Sequence, residues 1–301
     1  MSPRDRRYRF HAYTGHASGP VFTAVAGLFV AFLAGGLFFS GCTRAEGPHD
    51  VFDPHPDRRR TADGRWRLHD PERPQPPRSD PVPIEHLERS SQPPPGARVL
   101  FDGTSLAAWK PGKWKLEGGW VEIAPGSGSL ETKQGFGSCR LHLEWWTPPS
   151  SERRGQNRGN SGVFLMGRYE IQILDTYEPA TYADGMAGAL YGVRPPRSNA
   201  LRPAGQWQTY DIEFRRPVFA EDGTLLEPAR VTLDVNGVRV HEDAAFDGVT
   251  SHRRRAGYKP HSASEPLVLQ DHDEVVRFRN IWLLPLEDAS SAQAYSPARQ
   301  P

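Results

Sequence analysis

The feature that most constrains the fold is a series of short segments, between Val99 and Leu286, in which apolar and polar residues alternate. The segments read SLETK, RLHLEWW, GVFLMG, RYEIQIL, WQTYDIEF, RVTLDV, LVLQ and VVRFRNIWLLPL. Successive side chains of a β-strand point to opposite faces of a sheet, so this period of two predicts strands. Gly, Pro, Asn and Asp separate the segments, and Asn236-Gly237 is the strongest hairpin signal. No helix-length pattern lies between them, which predicts one all-β domain over residues 99–286, an antiparallel sandwich or barrel.

Composition excludes some classes of protein. The chain of 301 residues has a formal net charge of +1, so it lacks the basic surplus of a nucleic-acid-binding protein. Its two cysteines, Cys42 and Cys139, lie in different contexts, and no CxxC or Cys/His spacing of a zinc site occurs. Cys139 shares a predicted strand face with Leu141 and Leu143. We interpret it as a small buried apolar residue rather than a nucleophile.

The N-terminus has the pattern of an export signal. Several arginines precede the uncharged run Val21–Phe39, which leads into Ser40-Gly41-Cys42. This resembles a bacterial lipoprotein signal, which implies removal of residues 1–41 and acylation of Cys42, with the lipid holding the chain at the membrane. An uncleaved transmembrane anchor is the alternative, since the run is just long enough to span a bilayer. Both interpretations predict an exported, membrane-attached protein, either periplasmic or at the cell surface.

The segments on either side of the predicted domain have a different composition. Residues 42–98 are rich in proline, arginine and aspartate and poor in apolar side chains. Such a segment buries too little surface to fold alone, and proline keeps it extended. We therefore expect a disordered linker over residues 42–98, and a disordered tail over residues 287–301.

Six motifs in the domain occur in a recognisable order. They are LFDGTSLAAW (100–109), GNSGVFLMGRYEIQILDTY (159–177), GMAGALYG (185–192), WQTYDIEF (207–214), VTLDVNGV (231–238) and LVLQDHDEVVRFRNIWLLPL (267–286). Together they resemble the 3-keto-disaccharide hydrolase family. One departure is Asp273, where the family commonly has glycine, so the turn at this position is of interest.

The resemblance implies a fold and an activity. The fold would be a concanavalin-like jelly-roll β-sandwich with a concave face that holds a sugar. The activity would be the cleavage of 3-keto-glucosides, by elimination across C1–C2 and hydration of the resulting 3-keto-2-hydroxy-glucal. A sugar 3-dehydrogenase would be a functional partner, because it would supply the oxidised substrate.

Such chemistry needs a base over C2, a donor to the enolate oxygen at C3, and an acid for the leaving oxygen. The strand period places Glu144, Glu170, Arg277 and Arg279 on polar faces of their segments. If these faces lie on one sheet, they form a single cleft. We then expect Glu144 or Glu170 to remove the C2 proton, His272 to handle the leaving oxygen, and Arg279 with Arg277 to stabilise the enolate.

Other polar residues are candidates for substrate binding. We expect Asn160, Gln172, Asp175 and Gln270 to orient sugar hydroxyls, although Asn160 and Asp175 are equally suited to turns. The sequence requires no cofactor. A divalent metal bound by His272 and a carboxylate is an alternative way to polarise the ketone.

Less specific interpretations remain open at this point. Glu144 and Glu170 are also suited to ion pairs with Arg279 and Arg277 on a solvated sheet face. The whole domain is also suited to non-catalytic carbohydrate binding, or to display of a sandwich that binds another protein, because a fold does not fix a function.

Overall fold

The computed structural model describes residues 59–87, 91–149, 153–178 and 181–287, all of which belong to the unit Phe52–Pro301. The signal at residues 1–41, the lipidation candidate Cys42 and the tail beyond residue 287 lie outside the described residues. Within the described ranges, no helix combines the length and the apolar character needed to cross a membrane.

The described residues form short strands joined by turns and loops. In chain order the strands are β1 (Arg98–Phe101), β2 (Lys115–Glu117), β3 (Trp120–Glu122), β4 (Leu130–Phe136), β5 (Cys139–Trp146), β6 (Ser161–Leu165), β7 (Tyr169–Ile173), β8 (Gln208–Arg215), β9 (Val218–Phe219), β10 (Leu225–Glu227), β11 (Arg230–Val235), β12 (Val238–Ala245), β13 (Glu265–Leu269) and β14 (Arg277–Pro285). Two single-turn 3₁₀ helices lie at Ile84–His86 and Ala183–Gly185.

The strands form two main antiparallel sheets. The larger sheet has eight strands in the order β12-β11-β8-β5-β14-β3-β2, with β1 also paired to β14. The smaller has four, in the order β4-β13-β6-β7, and β9 and β10 form a separate pair. Apolar side chains of both sheets share one core: Tyr169 of β7 packs against Phe214 of β8, with ring centroids 5.8 Å apart. The prediction of an all-β jelly-roll sandwich is confirmed.

Two turns have the backbone that the sequence indicates. At the β11–β12 hairpin, Asn236 and Gly237 have φ values of 49° and 78°, the left-handed region that a tight hairpin turn requires. Asp273 has φ 59°. This explains why glycine suits the position, and aspartate is one of the few other residues that tolerate it.

Residues 59–87 differ from the disordered linker expected over 42–98, because they pack on the sandwich. The backbone N–H of Ser79 donates to the carbonyl of Asn199 (3.0 Å), and that of Val82 donates to the carbonyl of Asn236 (3.0 Å). Leu87 is buried. Composition correctly indicates that this segment has no core of its own, but the surface of the neighbouring domain supplies apolar contacts and hydrogen-bonding partners.

Cys139 lies in the core, as expected. Its side chain is buried, and burial raises the pKa of its thiol to about 12. A thiol with such a pKa is inert at neutral pH, because the thiolate is the nucleophile.

Candidate functional site

The predicted site residues lie on two different sheets. Glu144 is on β5, and Arg277 and Arg279 are on β14, all in the eight-stranded sheet, whereas Glu170 and Gln172 are on β7 of the four-stranded sheet. Within β5 and β7 the alternate residues, such as Leu143 and Ile171, face the shared core. The two polar groups therefore face outward on opposite sides of the sandwich, and the expectation of one cleft is wrong.

The face of the eight-stranded sheet carries a closed polar cluster around Glu144. The carboxylate accepts hydrogen bonds from Arg279 Nε (2.6 Å) and Asn280 Nδ2 (3.0 Å), and His142 Nε2 lies 3.9 Å away. Burial disfavours the charge of Glu144, but these neighbours outweigh burial and lower its pKa to about 2. A carboxylate with so low a pKa is a weak base. Glu144 and Arg279 thus form the ion pair that the sequence left open as the alternative to catalysis.

Neighbouring charged groups of this face also make internal contacts. Arg277 does not pair with Glu170 but donates to Glu122 (2.7 Å), and its guanidinium lies over the ring of Trp146, 4.4 Å from the centroid. His142 contacts Asp211 through Nδ1 (2.7 Å). Arg277 and His142 therefore each have a protein partner, as Glu144 does.

Glu170, on the opposite side of the sandwich, has a very different environment. Its side chain is only 4% exposed, and no Lys or Arg among the described residues forms an ion pair with it. Burial raises its pKa from the ordinary 4.5 to about 8. Gly162 of the adjacent strand makes the position feasible, because a Cβ there would lie 2.5 Å from Glu170 Oε1. A carboxyl group with so strongly raised a pKa is a candidate for proton transfer.

A series of amide side chains begins at this carboxyl group. The amide of Gln172 lies 3.1 Å from Glu170 Oε1 and 3.0 Å from the carbonyl of Ser161, and with its nitrogen on that side it donates to both. Asn160 is buried, and its Nδ2 donates to the carbonyl of Gln156 (2.8 Å). Gln156 in turn donates to the carbonyl of Gly185 (2.9 Å). The amides therefore form a hydrogen-bonded wall beside Glu170.

Two tyrosines complete the site, and sequence reasoning did not select them. The hydroxyls of Tyr182 and Tyr191 lie 3.1 Å apart, and that of Tyr191 is 3.2 Å from His252 Nδ1. Burial, together with the nearby charges of Asp184 and Glu170, raises the pKa of Tyr182, and burial with the same charges raises the pKa of Tyr191. Both phenols therefore stay protonated at neutral pH and can donate hydrogen bonds.

The remaining predicted site residues follow strands of the four-stranded sheet, Gln270 and the predicted acid His272 after β13 and Asp175 after β7. Gln270 follows β13, its backbone N–H donates to the carbonyl of Gly162 (3.0 Å), and its buried Oε1 has no partner among the described residues. His272 is exposed, and it is near enough to His252 to lower the pKa of that imidazole, after burial and Arg253. Asp175 is engaged differently, because its carboxylate pairs with Arg158 (2.5 Å). It fixes the loop before β6 to the end of β7.

Metal ligation was left open by the sequence. Among the residues that the structure describes, no three His, Cys, Asp or Glu side chains are grouped as a metal site.

The fold and this face together define a class of protein. The chain has a jelly-roll β-sandwich fold, and one sheet face carries a buried carboxyl group of raised pKa beside an amide side chain, which is the kind of group that functional sites contain. The family is more specific: the chain belongs to the 3-keto-alpha-glucoside-1,2-lyase-like domain family, whose model matches residues 96–284. The resemblance found in the sequence is confirmed.

Solved structures from Parabacteroides distasonis are similar to this chain. One, described as a candidate glycosyl hydrolase, has 38% sequence identity and a TM-score of 0.62, with 64% of this chain and 85% of that chain covered. A second of the same description has 19% identity and a TM-score of 0.45 over 69% of this chain and 100% of that one. A third has 18% identity and a TM-score of 0.47, covering 63% and 99%. No curated protein matches the sequence significantly. The family and the first of these structures make the chain a glycosyl-hydrolase-like protein of carbohydrate processing.

Proposed function

We propose that this protein cleaves 3-keto-glucosides at the outer face of the four-stranded sheet, with Glu170 as the general base. Glu170 removes the proton from C2, and the enolate of the C3 ketone forms. The enolate then expels the oxygen at C1, which leaves as an alcohol after taking up a proton. Water adds across the new C1=C2 bond, with hydroxyl to C1 and hydrogen to C2, and gives the free 3-keto-sugar.

The raised pKa of Glu170 is the observation that carries this proposal. A general base is most effective when its pKa lies near the working pH, and that of Glu170 is about 8. The carboxyl lacks the cationic partners that make Glu144 a weak base. Glu170 is thus the better of the two glutamates that the sequence left as candidates.

The neighbouring groups suit the other roles. Tyr182 and Tyr191 are neutral donors near enough to Glu170 for its charge to raise their pKa, which suits them to bind the developing enolate oxygen in place of Arg277 and Arg279. His272 keeps its role as the acid for the leaving oxygen, since it is exposed and follows β13 of the same sheet. Asn160, Gln172 and Gln270 orient hydroxyls.

A deuterium-incorporation experiment tests the proposed elimination and hydration. The purified full-length chain is incubated with a 3-keto-glucoside in D₂O, and the products are followed by NMR. Cleavage with deuterium at C2 is the expected result. Cleavage without deuterium at C2 would leave an enzyme but refute the elimination.

Matched substitutions then identify the base. Glu170→Gln is expected to abolish cleavage while sugar binding, measured by chemical-shift changes, persists. Glu144→Gln is the control, because it alters a buried glutamate on the opposite face and should leave turnover nearly unchanged below its unfolding temperature. Binding of the sugar by the wild-type chain without any cleavage would instead favour a non-catalytic carbohydrate-binding module.

Export and supply of the substrate complete the proposal. We infer from the motif at Cys42 that the chain is a lipoprotein facing the periplasm or the cell surface, and that an oxidoreductase acting at C3 of sugars supplies its substrate. Incorporation of labelled palmitate into the wild-type chain, and its loss in Cys42→Ala, is the expected result. A Cys42→Ala chain that stays equally membrane-bound would favour the uncleaved anchor.

A further inference from the structure

The segment Arg59–Leu87 lies outside the residues matched by the family model, yet it is attached to the loops that form the site. Gln75 Nε2 donates to the carbonyl of Thr181 (2.7 Å), next to Tyr182 in the sequence. The backbone N–H of His69 donates to Asp184 Oδ2 (3.0 Å), on the other side of Tyr182. The segment is thus hydrogen-bonded to residues on both sides of a proposed catalytic tyrosine.

His69 also contacts the tyrosine itself. Its imidazole stacks on the ring of Tyr182, with centroids 4.2 Å apart and an interplanar angle of 16°. Gly185 leaves the space that the Tyr182 ring occupies, because a Cβ there would overlap with the ring atoms. The Tyr182 ring therefore packs against the imidazole of His69, in space that the missing side chain of Gly185 leaves free.

The ring of His69 makes this contact as a neutral, flat surface. Neither of its nitrogens has a hydrogen-bond partner among the described residues. Burial, with the charges of His252 and Arg253, lowers its pKa to about 3, so it stays uncharged at neutral pH. The hydrogen bond from its backbone N–H to Asp184 Oδ2 (3.0 Å) anchors His69, whose backbone is in the left-handed region with φ 61°.

We propose that His69 is a positioning residue of the active site: it stacks on Tyr182 and holds the phenol in place for the reaction, so that the segment Arg59–Leu87 belongs to the catalytic unit. The proposal rests on the role of Tyr182 given above. It predicts that the shape of the ring, and not its nitrogens, is what matters at position 69.

Three substitutions in the full-length chain test this prediction by kinetics. His69→Ala removes the stacked ring and is expected to lower kcat by about 10- to 100-fold with KM changed less than about threefold, because small displacements of a catalytic group have effects of this order. His69→Phe keeps a flat ring, and its kcat should lie within about threefold of the wild-type value. His86→Ala changes an exposed histidine of the same segment and should have no effect. A His69→Phe chain as impaired as His69→Ala would overturn the proposal, as would a fully active His69→Ala chain.

A measurement without substrate separates this proposal from the proposed activity. The full-length chain is labelled with ¹³C at tyrosine Cζ, and Tyr182 is assigned from Tyr182→Phe. The Tyr182 signal should stay sharp and at the same shift in His69→Phe, and should broaden or move in His69→Ala. An unchanged signal in His69→Ala would refute the stacking role, even if the wild-type chain cleaved no 3-keto-glucoside. Thermal unfolding of each variant verifies that it is folded.

Discussion

Replacement of Glu170 by Gln should stabilise the protein while it removes the activity. The carboxyl is buried, and its pKa is raised from 4.5 to about 8. Above pH 4.5 the unfolded chain releases this proton more readily than the folded chain does, so folding stability is lost as the pH rises from 4.5 to 8. At about 1.4 kcal/mol per pH unit, the loss is on the order of 3 kcal/mol at pH 7 and about 5 kcal/mol above pH 8. The glutamine side chain does not ionise, so the Glu170→Gln chain should not lose folding stability in this way as the pH rises.

Urea unfolding at several pH values measures the effect. The free energy of unfolding is determined for wild type and Glu170→Gln between pH 4 and pH 9, and the difference between the two is plotted against pH. We expect a difference that is constant below about pH 4.5, rises in favour of Glu170→Gln by up to about 1.4 kcal/mol per pH unit, and levels off above about pH 8. The slope is the result that matters, because altered packing of the amide shifts the whole curve equally.

The reasoning is refuted if the two stability curves run parallel over this range. Glu131→Gln is a suitable control, since Glu131 lies on β4 of the same sheet and forms a half-exposed pair with Lys110. It should lack the rise between pH 4.5 and pH 8. A rise in both variants would point to a general effect of net charge rather than to the burial of Glu170.

Three further substitutions follow from the same geometry. The low pKa of Glu144 supplies folding stability above pH 4.5, and this stability is lost as the pH falls to about 2. Glu144→Gln should therefore lower the free energy of unfolding at pH 7 by an amount on the order of 3 kcal/mol, measured by urea unfolding. Gly162→Ala places a Cβ 2.5 Å from Glu170 Oε1 and should lower kcat at least about tenfold in a chain that still unfolds cooperatively; an unchanged kcat would contradict the contact. Tyr182→Phe should lower kcat about 100-fold without a matching rise in KM, and steady-state kinetics showing a change in KM alone would place Tyr182 in binding instead.

The sequence allowed the strands and their faces to be predicted better than their assembly. The alternation in RYEIQIL correctly indicates that Glu170 and Gln172 share a face of their strand. Successive side chains of a strand point to opposite faces, so this feature depends only on residues close together in the sequence. It does not show that β7 and β5 belong to different sheets, since that depends on pairing between residues far apart in the chain. For this reason the sequence pattern predicts one cleft for Glu144 and Glu170, although the sandwich core lies between them.

The loop residues of the site were harder to predict. Tyr182 and Tyr191 lie in a segment without strand or helix period, so no pattern shows where their side chains point. His69 lies in a proline-rich segment whose composition suggested a linker. Its role depends on the surface against which it packs, and composition carries no information about that surface.

The packing of Arg59–Leu87 has a practical consequence for recombinant work. The recognisable domain begins at residue 96, and an expression boundary placed there would remove His69 and the hydrogen bonds to Asn199 and Asn236. It would also uncover Asp184, whose carboxylate is now fully buried beneath Arg73 and the backbone of His69. Soluble versions of this protein should therefore start before Arg59, because the working unit of the chain is longer than the part that sequence similarity delimits.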